Sequence, residues 1–247
     1  SAMSSGAIQS SAASGAGGAA ASAPPVTSAC DLWALGITII ELAAGEPPRF
    51  SVEPAELMGR VIAAELSRVC SHLLAIGATG MDIGAVTPFT HALREREMIN
   101  DLIEELCGAR FTYNYMRIGG VAWDLPPGFR KKVARYLDHL EPCIHEINDL
   151  LSYGKIYTER LGGVAVVSPA MAMSYGLVGP NLRASGLKHD LRKDRPYSVY
   201  GDFEFDVPVG HGEMGGVGDC WDRYMMRIWE IFESIKFDDI RGSGTSH

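Results

Sequence analysis

Residues 54–76 read PAELMGRVIAAELSRVCSHLLAI, a stretch with a helical pattern of apolar residues. Their apolar side chains recur at the three- and four-residue spacing of one helix face, at Leu57, Val61, Leu66, Val69, Leu73 and Leu74. Acidic residues before and within the first turn, Glu53 and Glu56, suit the positive end of a helix dipole. The pattern therefore predicts a long amphipathic helix whose apolar stripe faces a core.

The same spacing recurs further along the chain and predicts three more helices. One begins after Thr87 and Pro88 and ends at Gly108, one covers residues 127–151 with a kink near Pro142, and the last covers residues 219–236. Short β-branched or aromatic runs at residues 164–167 and 203–207 predict strands. The predicted fold class is mainly α with short β segments.

Composition limits the possible partners and metal sites. The 247 residues carry 22 Lys and Arg against 30 Asp and Glu, a net charge of −8, which argues against nucleic acid or an anionic membrane surface as a partner. The five cysteines are scattered without a C-x-x-C pair, and no histidines show H-x-x-x-H spacing. These patterns predict neither a disulfide framework nor a metal site.

The chain divides into four unlike pieces. Residues 1–30 form an Ala/Ser/Gly-rich tail predicted to be disordered, residues 51–236 form the core, and residues 237–247 form a flexible tail. Between them, at residues 31–50, a helix pattern resembles the helix that follows the activation segment in protein kinases, through Asp31, Trp33 and Gly36 at residues 31–48. Because no other kinase motif is present, phosphoryl transfer is excluded as its activity.

Asp82 is a candidate for chemistry. It lies in residues 80–88, GMDIGAVTP, and no charged residue occurs between Arg68 and Arg94 apart from Asp82 itself. A carboxylate there is either a local cap for neighbouring N–H groups or a buried acid with a raised pKa. The residues alone leave these two interpretations equally open.

Other charged motifs have structural interpretations. The alternating run Arg94, Glu95, Arg96 and Glu97 is either a solvated helix face or a structural or interface element that holds neighbouring segments or subunits together. Gly119 and Gly120 after Arg117 permit close approach of another surface.

Two further stretches lie around the start of the last predicted helix. Residues 210–215, GHGEMG, fit G-x-G-x-x-G, but Glu213 opposes a phosphate ligand, so we interpret them as a flexible connection. Asp219, Asp222 and Arg223 then fall in the first turn of that helix, where the acids are predicted to cap it.

Several motifs occur together in a fixed order. They are residues 65–89, 94–102 (REREMINDL), 108–121 (GARFTYNYMRIGGV), 182–186 (LRASG), 190–200 (DLRKDRPYSVY), 205–210 (FDVPVG) and 218–224 (GDCWDRY). In this order they resemble the 49 kDa-type subunit of respiratory complex I, known in bacterial NADH:quinone oxidoreductases as the D subunit, in the superfamily of nickel–iron hydrogenase large subunits. The resemblance covers residues 55–236 and is truncated at both ends.

The resemblance implies a partial hydrogenase-large-subunit-like helical core without a metal or cofactor of its own. It implies a quinone pocket shared with an iron–sulfur subunit and located above a membrane-arm subunit, with ubiquinone as substrate. Asp82 would couple reduction to proton movement, which favours a buried acid. Arg117, Gly119 and Gly120 would lie near the quinone pocket or the partner's cluster. Arg183 would have a structural role. The implied location is the matrix side of the mitochondrial inner membrane, or the cytoplasmic face of the plasma membrane in a bacterium.

The sequence also departs from the family pattern. The quinone-contacting histidine loop and tyrosine of the family lie upstream of the matched region, and residues 211–217, HGEMGGV, look inserted. The residues therefore leave a second function open, a non-catalytic assembly or structural remnant of this subunit. In either case we expect the isolated chain to be inactive.

Overall fold

The computed structural model describes residues 54–117 and 120–236. The predicted tail at residues 1–30, the kinase-like helix at 31–50, Gly119 and the tail at 237–247 lie outside the described residues.

Helices dominate the described part of the chain, which confirms the predicted fold class. The α-helices are α1 Pro54–Asp82, α2 Val86–Cys107, α3 Phe129–Ile147, α4 Lys155–Leu161, α5 Pro169–Ser174, α6 Gly179–Ala184, α7 Leu191–Asp194 and α8 Cys220–Ile235. A π-helical turn at Asn148–Ser152 continues α3, and a 3₁₀ turn spans Tyr200–Asp202. The strands β1 Met116–Arg117 and β2 Gly120–Val121 pair antiparallel.

Helix α1 is the central element of the core. It begins where the sequence predicts and extends beyond residue 76 to Asp82, packing against α2 and α8. By length and apolar composition alone α1 is able to span a membrane, but most of its apolar window is buried inside the protein. That burial is what a core helix shows.

Small residues let α1 and α2 approach closely. A Cβ added at Gly77 would lie 3.2 Å from the Cβ of Ala92 and 3.3 Å from the Cα of Phe89. Helix α2 ends where Gly108 adopts a left-handed conformation, as predicted, and its N–H bonds the carbonyl of Glu104.

Helix α3 continues through Pro142, and the departure from α-helical geometry comes later, in the π-helical turn. That turn places two groups against α8. The Ser152 carbonyl accepts a hydrogen bond from the Trp221 indole at 3.0 Å, and the Ser152 hydroxyl lies 3.1 Å from the Tyr224 hydroxyl. Trp221 is fully buried, so these bonds fix α8 against the end of α3.

The strands predicted at residues 164–167 and 203–207 are wrong. The first run makes isolated bonds to the segment before α8, from Val167 N to Gly218 O and from Cys220 N to Val164 O, rather than a ladder. In the second run, Phe203 and Phe205 are buried without strand pairing. Packing of the aromatic side chains into the core explains the second run, whereas Val164 and Val166 in the first run are exposed.

Candidate functional site

Asp82 is the last residue of α1 and is exposed. Backbone bonds close the turn that follows, because the N–H groups of Gly84 and Ala85 donate to the carbonyls of Met81 and Gly80 at 2.9 and 2.8 Å. The Asp82 side chain makes no hydrogen bond with the described residues. Both expectations for this residue, a buried acid and a local cap, are therefore wrong, because α1 ends at the surface and backbone groups satisfy its turn.

Asp82 borders a cavity of about 450 Å³ between α1 and α8. The wall is formed by Ala75, Ala78, Thr79, Asp82, Ile83, Leu161, Asn181, Cys220, Arg223, Tyr224 and Arg227. One carboxylate and two guanidinium groups thus line an otherwise largely uncharged space. Of the predicted site residues, the structure brings Asp82 and Arg223 to this one cavity.

The two arginines of the cavity are held mainly by neutral groups. Arg223 donates to the carbonyls of Ala165 and Gly218, and Arg227 donates to the Asn181 side-chain oxygen at 3.0 Å and to the Arg223 carbonyl. Burial lowers the pKa of Arg227, although the nearby carboxylate of Glu230 opposes that effect. A half-buried guanidinium without a hydrogen-bonded carboxylate stabilises negative charge that enters the cavity.

The start of α8 is shaped by two buried carboxylates. Asp219 is the N-cap and accepts bonds from the N–H groups of Asp222 and Gly163 at 2.8 Å. The Asp222 carboxylate accepts bonds from the N–H groups of Gly212 and Gly218 at 3.0 and 3.1 Å. Burial raises the pKa of Asp222, and the charge of Asp219 adds to this effect. The glycine-rich loop thus directs N–H groups at the protein's own carboxylate, which supports its interpretation as a connection.

A buried ion network lies further along α1 and α8, where Glu230 and Ser234 follow Arg227 on the same face of α8. Glu65 is buried and receives Arg192 Nη1 at 3.1 Å, the Tyr200 hydroxyl at 2.7 Å and the Ser234 hydroxyl at 2.8 Å. Burial opposes ionisation of Glu65, but the charges of Arg68 and Arg192 and these hydroxyl bonds hold its pKa below the ordinary value.

The network continues from Arg192 to α1. Arg192 Nη2 contacts Asp190 at 2.7 Å, and Arg183 lies 3.5 Å from the same carboxylate. Arg183 also donates to Glu230 at 2.5 Å, and His72 Nε2 lies 2.7 Å from the other Glu230 oxygen. The structure therefore places Arg183 inside a compensated network.

The alternating run at residues 94–97, in the middle of α2, has two different environments. Glu95 is fully buried, while Arg94 is exposed and donates to it at 2.7 Å. Arg96 lies over the Phe111 ring at 4.9 Å, and Glu97 pairs with Arg110 at 2.6 Å. The run is therefore neither a fully solvated helix face nor a set of residues that all hold neighbouring segments together.

Arg117 belongs to the β-hairpin rather than to the cavity lining. It is exposed and pairs with Gly120, and its carbonyl accepts a hydrogen bond from Arg60. Its position near a partner's cluster stays a prediction.

Sequence reasoning missed Arg227 and Asn181. A signal for the first exists in the sequence, because Arg223 and Arg227 are four residues apart and share one face of the predicted last helix. Asn181 comes from a separate short helix, and no local pattern connects it to the others.

Comparison with known proteins identifies the class to which this helical core belongs. Residues 82–238 match the model of the family described as respiratory-chain NADH dehydrogenase, 49 Kd subunit. The chain belongs to this family.

Curated relatives agree with that assignment, and all three compared here are NADH-quinone oxidoreductase D subunits. Over 177 residues the chain is 59% identical to the D subunit numbered 2 of Sorangium cellulosum, covering 72% of this chain and 46% of the relative. It is 56% identical to the D subunit numbered 2 of Anaeromyxobacter dehalogenans over 72% of this chain and 47% of that protein. It is 51% identical to the D subunit of Bacillus cytotoxicus over 184 residues, 74% of this chain and 49% of that protein. The chain thus spans about half the length of these relatives.

Proposed function

We propose that the chain is part of the quinone-reduction module of a proton-pumping NADH:quinone oxidoreductase, where it shapes the quinone pocket beside a partner's iron–sulfur cluster. The observation that carries this proposal is the family match over residues 82–238. The cavity lined by Asp82 and two arginines supports the proposal.

The proposed reaction needs two electrons and two protons to convert the quinone to the quinol. The electrons arrive from the partner's cluster, and this chain binds no redox cofactor. The Asp82 carboxyl passes the two protons in turn, because it is accessible to solvent and takes up a proton from water after each transfer. The guanidinium groups of Arg223 and Arg227 favour negative charge on the ring as electrons arrive. The Arg117 cation tunes the potential of the partner's cluster.

The proposed partners are other complex I subunits, especially the iron–sulfur subunit and the membrane-arm subunit at the quinone entrance. Large apolar side chains are exposed between the end of α3 and α6, including Ile156, Met173, Tyr175 and Val178. Exposed apolar surface of this kind is typical of faces covered in an assembly. The proposed location is the cytoplasmic face of the plasma membrane, as for a bacterial complex, or the matrix side of the mitochondrial inner membrane in a eukaryote.

Photoaffinity labelling tests the proposal. An azido-ubiquinone analogue is added to the native complex, the sample is illuminated, and the labelled peptides of this chain are identified by mass spectrometry. We expect labelling at residues 75–83 and 220–227, and competition by excess ubiquinone. A complex that contains this chain but shows no competed label in either segment overturns the proposal.

The second candidate is a non-catalytic subunit that supports assembly of the complex. It is favoured by the exposure of Asp82 and by the lack of a hydrogen-bond partner for this side chain among the described residues. Removal of the chain would then prevent assembly, whereas an Asp82→Asn variant would assemble and reduce quinone at the normal rate.

A further inference from the structure

Three potential metal ligands meet between α2 and α3, away from the Asp82 cavity. His139 and Cys143 lie one helical turn apart on α3, and Glu95 reaches them from α2. One ligand atom from each residue, the imidazole nitrogen, the thiol sulfur and a carboxylate oxygen, lies within 4.8 Å of the others. The cluster therefore joins two helices through three donors of different chemistry.

The Glu95 carboxylate directs one oxygen, Oε2, into this cluster. The side chain is fully buried, and its Oε1 accepts a hydrogen bond from Arg94 Nε at 2.7 Å. Oε2 has no hydrogen-bond partner, although His139 Nε2 lies 2.9 Å away in ion-pair contact. A buried carboxylate oxygen without a hydrogen bond is costly, which indicates a missing ligand.

The separations fit a tetrahedral zinc ion. Zinc–nitrogen and zinc–oxygen bonds of about 2.0–2.1 Å and a zinc–sulfur bond of about 2.3 Å place nitrogen and oxygen about 3.3 Å apart, and nitrogen and sulfur about 3.6 Å apart. The corresponding distances are 2.9 Å between His139 Nε2 and Glu95 Oε2 and 3.7 Å between His139 Nε2 and Cys143 Sγ. Small side-chain movements would therefore bring these ligand atoms to the separations expected around a bound zinc ion.

We propose that Glu95, His139 and Cys143 bind a zinc ion that links α2 to α3, with solvent completing the tetrahedron. The imidazole, thiolate and carboxylate donors are those that zinc accepts in proteins. His139 is about half exposed, so the ion has a path from solvent. This site is independent of the proposed quinone function.

The local charges are compatible with a divalent cation. Binding releases the Cys143 thiol proton to solvent, so the ligands supply two negative charges, from Cys143 and Glu95. Arg94 interacts with both Glu95 and Cys143 and opposes the ion, so it must move aside, and its 57% exposed side chain can turn toward water. The exposed Glu146 carboxylate lies on α3, the helix that carries His139 and Cys143, and its negative charge partly offsets the positive charge of Arg94.

The test is a titration of the reduced 247-residue chain with Co²⁺, a spectroscopic substitute for zinc, followed by Zn²⁺ competition. We expect one Co²⁺ per chain, with a thiolate-to-cobalt charge-transfer band and the visible absorption of a tetrahedral ion, both abolished by Zn²⁺. Residues that merely support a ligand change metal affinity about 10–100-fold. Loss of a ligand in Cys143→Ser or His139→Gln should therefore weaken binding by more than about 100-fold.

The matched controls are Cys107→Ser and His145→Gln, which remove the same side-chain types outside the cluster. Both should bind as the parent chain does. Zn²⁺ should also raise the Tm of the parent chain and of both controls, but not that of Cys143→Ser. Absence of a stoichiometric Co²⁺ spectrum in the parent chain, or an unchanged spectrum in Cys143→Ser, overturns the proposal. Because both ligands on α3 are at least partly exposed, these variants are expected to fold, and circular dichroism verifies this.

Discussion

The ion network around Glu65 and the cavity beside Asp82 use charge in opposite ways. In the network, carboxylates and cations are buried and pair directly with one another. At the cavity, Asp82 is exposed, and the hydrogen bonds of Arg223 and Arg227 go to carbonyl, amide and thiol groups. The first set of charges is therefore mutually compensated, so that removal of one partner destabilises the folded chain, whereas the second remains available to a substrate or partner.

The largest expected effect comes from breaking the network at Glu65. Glu65→Ala leaves the buried Arg192 guanidinium with Asp190 as its carboxylate partner, and leaves the Tyr200 and Ser234 hydroxyl groups without their acceptor. We expect the free energy of unfolding to fall by about 3–5 kcal/mol. Urea denaturation of the full chain measures this decrease, with exposed Glu204→Ala as the control. Equal stabilities of the two variants would contradict a stabilising role for the network.

A smaller effect is expected at the start of α8. Asp219→Ala removes the acceptor of the Asp222 and Gly163 N–H groups, which are otherwise left without a partner. The expected decrease in the free energy of unfolding is about 2 kcal/mol, from the missing cap and the unsatisfied donors. Asp219→Asn keeps a good capping side chain and should recover most of the stability in the same denaturation experiment. If both variants are equally destabilised, the charge of Asp219 matters more than its capping bonds.

The pH dependence of stability tests the His72 end of the network. Burial lowers the pKa of His72, with Arg68 and Arg227 acting in the same direction and Glu230 opposing them. In the unfolded chain His72 takes up a proton near pH 6.5, whereas in the folded chain it does so only at lower pH. The free energy of unfolding therefore falls as the pH drops below 6.5. Over about one pH unit below the unfolded pKa, His72→Gln should reduce the slope of the free energy of unfolding against pH. The exposed His145→Gln should leave that slope unchanged. A parent slope of zero would contradict this environment for His72.

The smallest effect on stability is expected at the cavity. Asp82→Asn alters an exposed side chain that has no hydrogen bond to the described residues, so the free energy of unfolding should change by no more than about 0.5 kcal/mol. Urea denaturation measures this change. A decrease as large as that of Glu65→Ala would remove the contrast between the two regions.

Sequence signals predicted the helices well because their apolar spacing and end signals are local. The stripe from Leu57 to Leu74 and the terminal Gly108 indicated the right element types, with errors at the boundaries. The predicted strands at 164–167 and 203–207 failed because β-branched and aromatic content was mistaken for ladder pairing. The two-residue strands formed at 116–117 and 120–121 instead.

The candidate site was less predictable because its parts come from separate elements. Asp82 was singled out from its isolation among uncharged residues, but its exposure depends on α1 ending at that residue. His139 and Cys143 have recognisable helical spacing, yet an H-x-x-x-H pattern does not include a mixed histidine–cysteine pair. Their third partner, Glu95, comes from another helix and looked like part of a surface charge run.

The proposed role of Asp82 in quinone reduction is tested most directly by comparing two electron acceptors in the assembled complex that carries Asp82→Asn. NADH oxidation with ubiquinone requires the proposed site, whereas NADH oxidation with ferricyanide bypasses it. We expect the ubiquinone-linked rate to fall by at least about tenfold, because a positioned proton-transfer group contributes about 10²-fold or more. We also expect an unchanged ferricyanide rate and normal assembly, with exposed Asp149→Asn as the control. Unchanged ubiquinone-linked activity in a fully assembled Asp82→Asn complex would contradict this role.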